Sequence, residues 1–327
     1  MAFPSLASLR AAFSGPWRES LGADIFQQYV KLRLRILKGE IFRTAGPRPI
    51  EYFKIEQGKK EKLIFLPGFA DYKENFLDAA QFLVSDFDMV VVDLPGFGRS
   101  FKHPEDRYTL VQIARWMQDF IAELGWTDFH LLGNSLGGAV SIELALHIPE
   151  KIKSLTLIDT AGVTLPEHSS VYHEFVQGRN VFEIQTRERF DYFLHRVFYR
   201  PPVIPLFVRD HLFLEMAKNS KWHRKILHDL LQNVKDFNDP RVKEVSLNEK
   251  ISQIKMPTMI IWGAEDTFFP SQTAAYIQQR IPHAQLYVLP DLGHIPQIEA
   301  PVKFARMFRK FVRTQRNAKR AGPSQHL

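Results

Sequence analysis

"LLGNSLGGAV", residues 131–140, sets one small polar side chain among glycines directly after an apolar run. Glycine stands at 133, 137 and 138, so Ser135 has almost no side-chain bulk around it. Such a stretch is poor helix and poor strand by composition. It suits a tight turn between the two. "FHLLGN" (129–134) reads as a strand, and "GGAVSIELALHIPE" (137–150) as a helix stopped at Pro149. Gly133 and Gly137 frame the serine as G-x-S-x-G, the spacing of a sharp strand-to-helix turn whose two main chains pass closely. Such a turn lifts the hydroxyl to the top of a sheet. It also sets it beside the N–H groups and positive dipole end of the following helix.

The segments on either side repeat this alternation. Strand-like runs occur at 50–55, 62–68, 87–96, 152–159, 257–263 and 284–290, several of them apolar almost throughout. Continuous apolar strands are expected where both faces of a sheet are covered. Between them, "TLVQIARWMQDFIAELG" (109–125) places Leu110, Ile113, Met117, Phe120, Ile121 and Leu124 near one helical face and ends on a capping glycine. The pattern predicts an α/β fold, a mostly parallel central sheet with helices on both faces. From 162 to 245 the rhythm breaks into an aromatic-rich helical segment. Two readings stand for it: a subdomain that completes the core, or a cap (lid) over the strand ends where active sites form. The expected organisation is an N-terminal arm at 1–47, a first core part at 48–161, the cap at 162–245, a second core part at 246–315 and a disordered basic tail at 316–327.

A serine hydroxyl is a weak nucleophile and needs a base. "PDLGHIPQIEAP" (290–301) follows the last strand and supplies His294 on a loop. The orienting carboxylate should leave another strand end. "MIIWGAEDTFFP" (259–270) offers Asp266, with Glu265 beside it, and Asp159 ends "LTLID" on a neighbouring strand. Asp266 is the expected partner, because the chain order serine, aspartate, histidine matches a known arrangement of this triad.

These segments together resemble the α/β-hydrolase fold, lipase and esterase branch, with a helical cap. "GNSLGG" resembles the nucleophile elbow, "GAEDTFFP" the acid loop, "LGHIPQIEAP" the histidine loop and "DLPGFGRS" (93–100) the loop after the fourth strand. "PGFADYKENF" (67–76) points to monoacylglycerol-lipase-like enzymes and related bacterial lipases. The resemblance implies a serine-dependent hydrolase of carboxylic esters with an apolar acyl chain, acting through Ser135, His294 and Asp266. Backbone N–H groups of Phe69 and Leu136 would form the oxyanion hole, and the chemistry uses no metal or organic cofactor. The sequence departs from the family at Pro67, where histidine is usual. Main-chain donors do not require that histidine, but the proline removes an imidazole that would support the loop. Dehalogenases and epoxide hydrolases of this fold use a carboxylate nucleophile, and Ser135 speaks against both. Carbon–carbon bond hydrolases of ring-fission dienoates share the serine and need a cap arginine, for which Arg189, Arg196 and Arg209 are candidates.

Composition narrows the remaining possibilities. With no cysteine there is no disulfide, thiolate nucleophile or cysteine metal ligand. The net charge of +7 suits anionic surfaces, but there is no zinc-finger spacing and no basic arm outside the tail, so nucleic acid is not an expected partner. A small-molecule ester or lipid is. No apolar run approaches the roughly 20 residues of a membrane span, and the start lacks a secretory core. The expected location is the cytoplasm. "IFQQYVKLRLRILKGEIFR" (25–43) interleaves cations with apolar residues. Read as strand or helix, it either packs on the domain or makes peripheral contact with a membrane.

Overall fold

The computed structural model describes residues 16–59, 61–163, 165, 174, 177, 179–232, 234, 239 and 241–321. A helix, α1 (Pro16–Leu37), leads into strands β1 (Gly39–Arg43), β2 (Glu51–Ile55), β3 (Glu61–Leu66) and β4 (Phe87–Val92). Helix α2 (Leu110–Leu124), strand β5 (Phe129–Asn134), helix α3 (Leu136–His147) and strand β6 (Ile152–Ile158) follow. The inserted region contributes α4 (Arg187–Val197) and α5 (Leu206–Leu231). The chain then re-enters the core with β7 (Thr258–Gly263), α6 (Gln272–Arg280), β8 (Gln285–Leu289) and α7 (Pro301–Ala321).

The eight strands form one sheet in the order β1-β2-β4-β3-β5-β6-β7-β8. The pairings β1–β2 and β2–β4 are antiparallel, and every pairing from β4 to β8 is parallel. This is the mostly parallel α/β sheet that the alternation implies, in the arrangement of the α/β-hydrolase fold that the resemblance leads one to expect. The two faces sort by the two-residue strand period. Ile64, Leu66, Val90 and Val92 pack on one side with α2 and α3 residues such as Ile113 and Ile142. Leu63, Phe65, Met89 and Val91 pack on the other with Phe304 and Phe308 of α7. Both faces are covered, which is why these strands read as unbroken apolar runs. Helix α2 starts where Thr109 accepts a hydrogen bond from the Gln112 N–H at 3.2 Å and ends at Gly125 with φ 71°.

The structure differs from the sequence reading at both ends. Residues 25–43 are neither wholly strand nor wholly helix. The helix runs to Leu37, Lys38 turns the chain with φ 53°, and β1 is an exposed edge strand. Helix α1 carries two apolar faces. Val30, Leu34 and Leu37 are buried, while Leu21, Ile25, Tyr29, Leu32 and Ile36 form a stripe exposed to solvent. It lies against α5 so closely that a Cβ on Gly22 would stand 2.1 Å from the Phe207 carbonyl oxygen. At the other end, α7 continues to Ala321 where composition predicts fraying from 316. Its arginines, lysines and alanines are good helix formers, and they extend a helix already anchored by Phe304, Phe308 and Phe311. Residues 322–327 of the expected tail and much of 164–178 in the expected cap lie outside the described residues.

The close approach of α3 to the end of β3 yields a direct test. A Cβ on Gly137 would sit 2.1 Å from the Leu66 carbonyl oxygen, a backbone atom that cannot rotate away. Gly137→Ala is expected to lower stability by about 3 kcal/mol in urea unfolding. Gly125→Ala, at a left-handed position with open space around it, should cost only about 1 kcal/mol.

Candidate active site

β5 ends at Asn134 and α3 begins at Leu136, so Ser135 alone makes the corner, with φ 53° and ψ −119°. A non-glycine residue in this conformation is held there by its surroundings. Its N–H donates to Ile158 O at 2.9 Å, and its carbonyl accepts from Ala139 N at 3.1 Å and Ala161 N at 3.0 Å. Leu136 is the first residue of α3, where N–H groups have no partner within the helix. The loop after β3 passes directly beside the serine: a Cβ on Gly68 would lie 3.3 Å from Ser135 Cβ. Phe69 and Leu136, the two expected oxyanion donors, therefore flank Ser135 and line a cavity with it.

His294 is buried on the loop after β8, and its Nδ1 lies 2.9 Å from Asp266 Oδ2. Asp266 Oδ1 accepts from the N–H groups of Phe268 at 2.7 Å and Phe269 at 3.3 Å, so the turn itself holds the carboxylate. With Nδ1 engaged, Nε2 is the ring nitrogen left for the cavity that His294 lines together with Ser135. Of the other two acids weighed, Glu265 is exposed and Asp159 is buried beside Asp266. Asp159, Asp266 and His294 have potential ligand atoms within 4.8 Å of one another, the cluster among the described residues best placed to surround a metal ion. Two of its members already bond each other.

Two supporting groups lie within the quoted motifs, but the motifs do not say what they hold. Asn134 donates through Nδ2 to Ile158 O and to His294 O, both at 3.1 Å, which ties the histidine loop to the elbow. Lys73 is fully buried at the end of the loop after β3. Its Nζ contacts Asp93 at 2.7 Å, Glu51 at 2.9 Å and Glu74 at 3.1 Å. Burial alone would depress this ammonium, but the charges of Asp93 and Glu74 outweigh it and raise its pKa. Asp93 also accepts from the N–H groups of Lys73 and Arg99, both at 2.9 Å. The loop carrying Phe69 is thus fixed at its C-terminal end by a buried ion cluster. The signal for either group would have been a buried polar residue with a distant partner, which a single sequence does not display.

Two cavities meet at Ser135, Phe69, Phe182 and Phe268. One, of about 180 Å³, runs between α3 and the end of α5 and is lined by Leu136, Ala139, Leu227 and Leu230. The other, of about 240 Å³, lies under α4 and is lined by His294, Phe190, Leu194, Met216, Asp71 and Asn75. The inserted helices therefore roof the serine. Arg189, Arg196 and Arg209 line neither cavity. Arg189 donates to Asn180 O, Arg196 to Thr267 O, and Arg209 pairs with Asp191. Burial, partly offset by hydrogen bonds from Asn75 and Tyr72, pushes the Asp71 carboxyl up to about 6.

Residues 62–301 match the model of the alpha/beta hydrolase fold. The chain is 31% identical over 260 residues to Lipase 1 of Psychrobacter immobilis, covering 78% of this chain and 79% of that one. It is 27% identical over 313 residues to monoacylglycerol lipase ABHD6 of Bos taurus, covering 90% and 84%. Among solved structures it resembles a membrane phospholipase A described as a bacterial virulence factor. That match has a TM-score of 0.84 and 25% identity, over 91% of this chain and 93% of that chain.

Removing the Lys73 ammonium would leave Glu51, Glu74 and Asp93 facing one another in a largely buried space. Lys73→Met is expected to lose about 3–5 kcal/mol of stability, read as a fall in the urea midpoint. An unchanged midpoint would mean that the cluster contributes nothing net.

Proposed function

The chain belongs to the alpha/beta hydrolase fold family, and we propose that within it the protein is a serine esterase of the lipase type, cleaving esters with an apolar acyl chain. One observation carries this reading: a serine at the junction of two mainly apolar arms, beside a buried histidine–aspartate pair. In the proposed mechanism His294 takes the proton of Ser135 as the serine oxygen attacks the ester carbonyl. Asp266 holds the imidazole in the required tautomer and stabilises its charged form. The N–H groups of Phe69 and Leu136 hold the oxyanion. His294 then protonates the leaving alcohol, and water activated by the same histidine cleaves the acyl-enzyme.

The proton path assigns the two arms. The leaving alcohol must lie within reach of His294, so it occupies the arm that His294 lines. The acyl chain occupies the other, between α3 and α5. Asp71 and Asn75, which also line the alcohol arm, suit the hydroxyls of a glycerol headgroup, which supports a monoacylglycerol as substrate. The names of the lipases and monoacylglycerol lipases related to this chain agree with that choice. The three cap arginines expected to serve a carbon–carbon hydrolase line neither cavity, and Arg179, which lines the acyl arm, is engaged by Gln177, so the ester reading is preferred.

Among the described residues no helix is long and apolar enough to cross a membrane. The outer stripe of α1 offers a shallower contact. Leu21, Ile25, Tyr29, Leu32 and Ile36 are exposed, and so are the cations Lys31, Arg35 and Lys38 next to them. This combination fits the surface of an anionic bilayer.

Three measurements test the reading. A fluorophosphonate probe should label Ser135, and Ser135→Ala should abolish both labelling and turnover. Along a series of glycerol monoesters, kcat/KM should climb about fourfold per methylene and then level off as the acyl arm fills. Rapid cleavage of a ring-fission dienoate with slow, flat ester rates would overturn the assignment. Vesicles containing anionic lipid should sediment the protein, and Leu32→Glu with Ile36→Glu should release it while leaving turnover of a soluble short-chain ester intact.

A further inference from the structure

This inference rests on the proposed triad and concerns the carboxyl group behind it. Asp159 follows β6 with φ 42° and is fully buried. Its main chain is pinned by donation from its N–H to Ile261 O at 3.0 Å. Its Oδ1 accepts from Gly263 N at 2.8 Å, and its Oδ2 is a buried oxygen without a hydrogen-bond partner among the described residues. A buried orphan oxygen in a native structure asks for an explanation. Asp266 lies next to it, and the titratable groups that face Asp159 are Asp266 and His294, with Glu299 beyond them.

Two adjoining buried carboxyls cannot both ionise without strong repulsion. The one with more donors keeps the charge. Asp266 has three donors, from Phe268 N, Phe269 N and His294 Nδ1, whereas Asp159 has one. A proton on Asp159 would convert the orphan oxygen from an unmet acceptor into a donor, with the Asp266 carboxylate as its neighbour.

We propose that Asp159 is a neutral carboxylic acid whose Oδ2–H donates to the Asp266 carboxylate, and that it is a positioning residue for the His294–Asp266 pair. Burial, and then the charge of Asp266, raise the Asp159 carboxyl well above the ordinary carboxylate range, in keeping with this arrangement. Asp266 then receives four donors and is held from the strand side as well as from its own turn. The acid strengthens the grip on the charge that orients the histidine, without touching substrate.

The pH dependence of stability has a definite sign. Asp159 titrates near 4 in the unfolded chain and higher in the folded one. Between those values the folded state binds more protons, so this group makes the protein less stable as pH rises through that window. Asp159→Asn cannot titrate, and its amide can both accept from Gly263 N and donate to Asp266. Its melting temperature should therefore gain on that of the wild type as pH rises from about 4 toward neutrality. A constant difference would overturn the proposal.

Infrared difference spectroscopy of wild type against Asp159→Asn at neutral pH should show one carboxylic-acid carbonyl band, and its absence would overturn the proposal. In kinetics, Asp159→Leu should lower kcat about tenfold with little change in KM. Asp159→Asn should restore most of that loss. Equal activity of the leucine and asparagine variants would reduce Asp159 to a space-filling residue. Turnover that survives Asp266→Asn but vanishes when Asp159→Asn is added would make Asp159 an ionised reserve acid, and the proposal false. Failure of the triad reading itself would look different. Turnover would then survive both Asp266→Asn and the double variant, leaving the infrared band and the pH slope to decide the protonation of Asp159.

Discussion

Between residues 133 and 138 three main chains meet with no side chain between them. A Cβ on Gly133 would lie 2.2 Å from the carbonyl oxygen of Gly137, and one on Gly137 would lie 2.1 Å from that of Leu66. The end of β5, the first turn of α3 and the exit of β3 are therefore locked at backbone contact. From this follow the corner at Ser135, the nearness of the Gly68–Phe69 loop and the aim of the α3 N-terminus. The histidine loop is then tied to the same point through Asn134, whose amide spans Ile158 and His294. The site is positioned mainly by backbone, and interiors packed at this density deform little.

The parts legible in the sequence were those whose signal is local. The parallel strands could be read because both their faces are apolar, and α2 because Thr109, Gly125 and a clean apolar stripe mark it. Ser135, Asp266 and His294 can be named as candidates because each follows a strand within a short turn. β1 cannot be told apart from the segment before it because, as an exposed edge, it carries no burial pattern. Helix α1 was ambiguous for a physical reason: apolar residues point both inward, at Val30, Leu34 and Leu37, and outward, at Leu32 and Ile36. Lys73 and Asn134 could not be assigned their tasks, since those depend on Asp93, Glu51 and His294, which are remote in sequence.

The inserted helices do more than cover the cavity. His294 N donates to Val197 O at 2.9 Å, Tyr199 N donates to Glu299 at 2.9 Å, and the Thr267 hydroxyl donates to Arg196 O at 2.8 Å. The C-terminal end of α4 is thus bonded to both the histidine loop and the acid loop. Any rearrangement of the roof that left the His294–Asp266 pair undisturbed would have to take place away from this end. The rings of Phe69, Phe182 and Phe268 pack on one another where the two cavities meet.

The conformation of Ser135 also bears on how the sequence can vary. A non-glycine residue at φ 53° and ψ −119° carries strain of about 1–3 kcal/mol. Glycine would occupy that corner with less strain, so the protein is less stable with its proposed nucleophile than it would be without it. Selection for stability alone would favour Ser135→Gly. A library screened only for heat resistance is therefore expected to enrich glycine at this position, whereas one screened for ester turnover should keep the serine that the proposed chemistry requires.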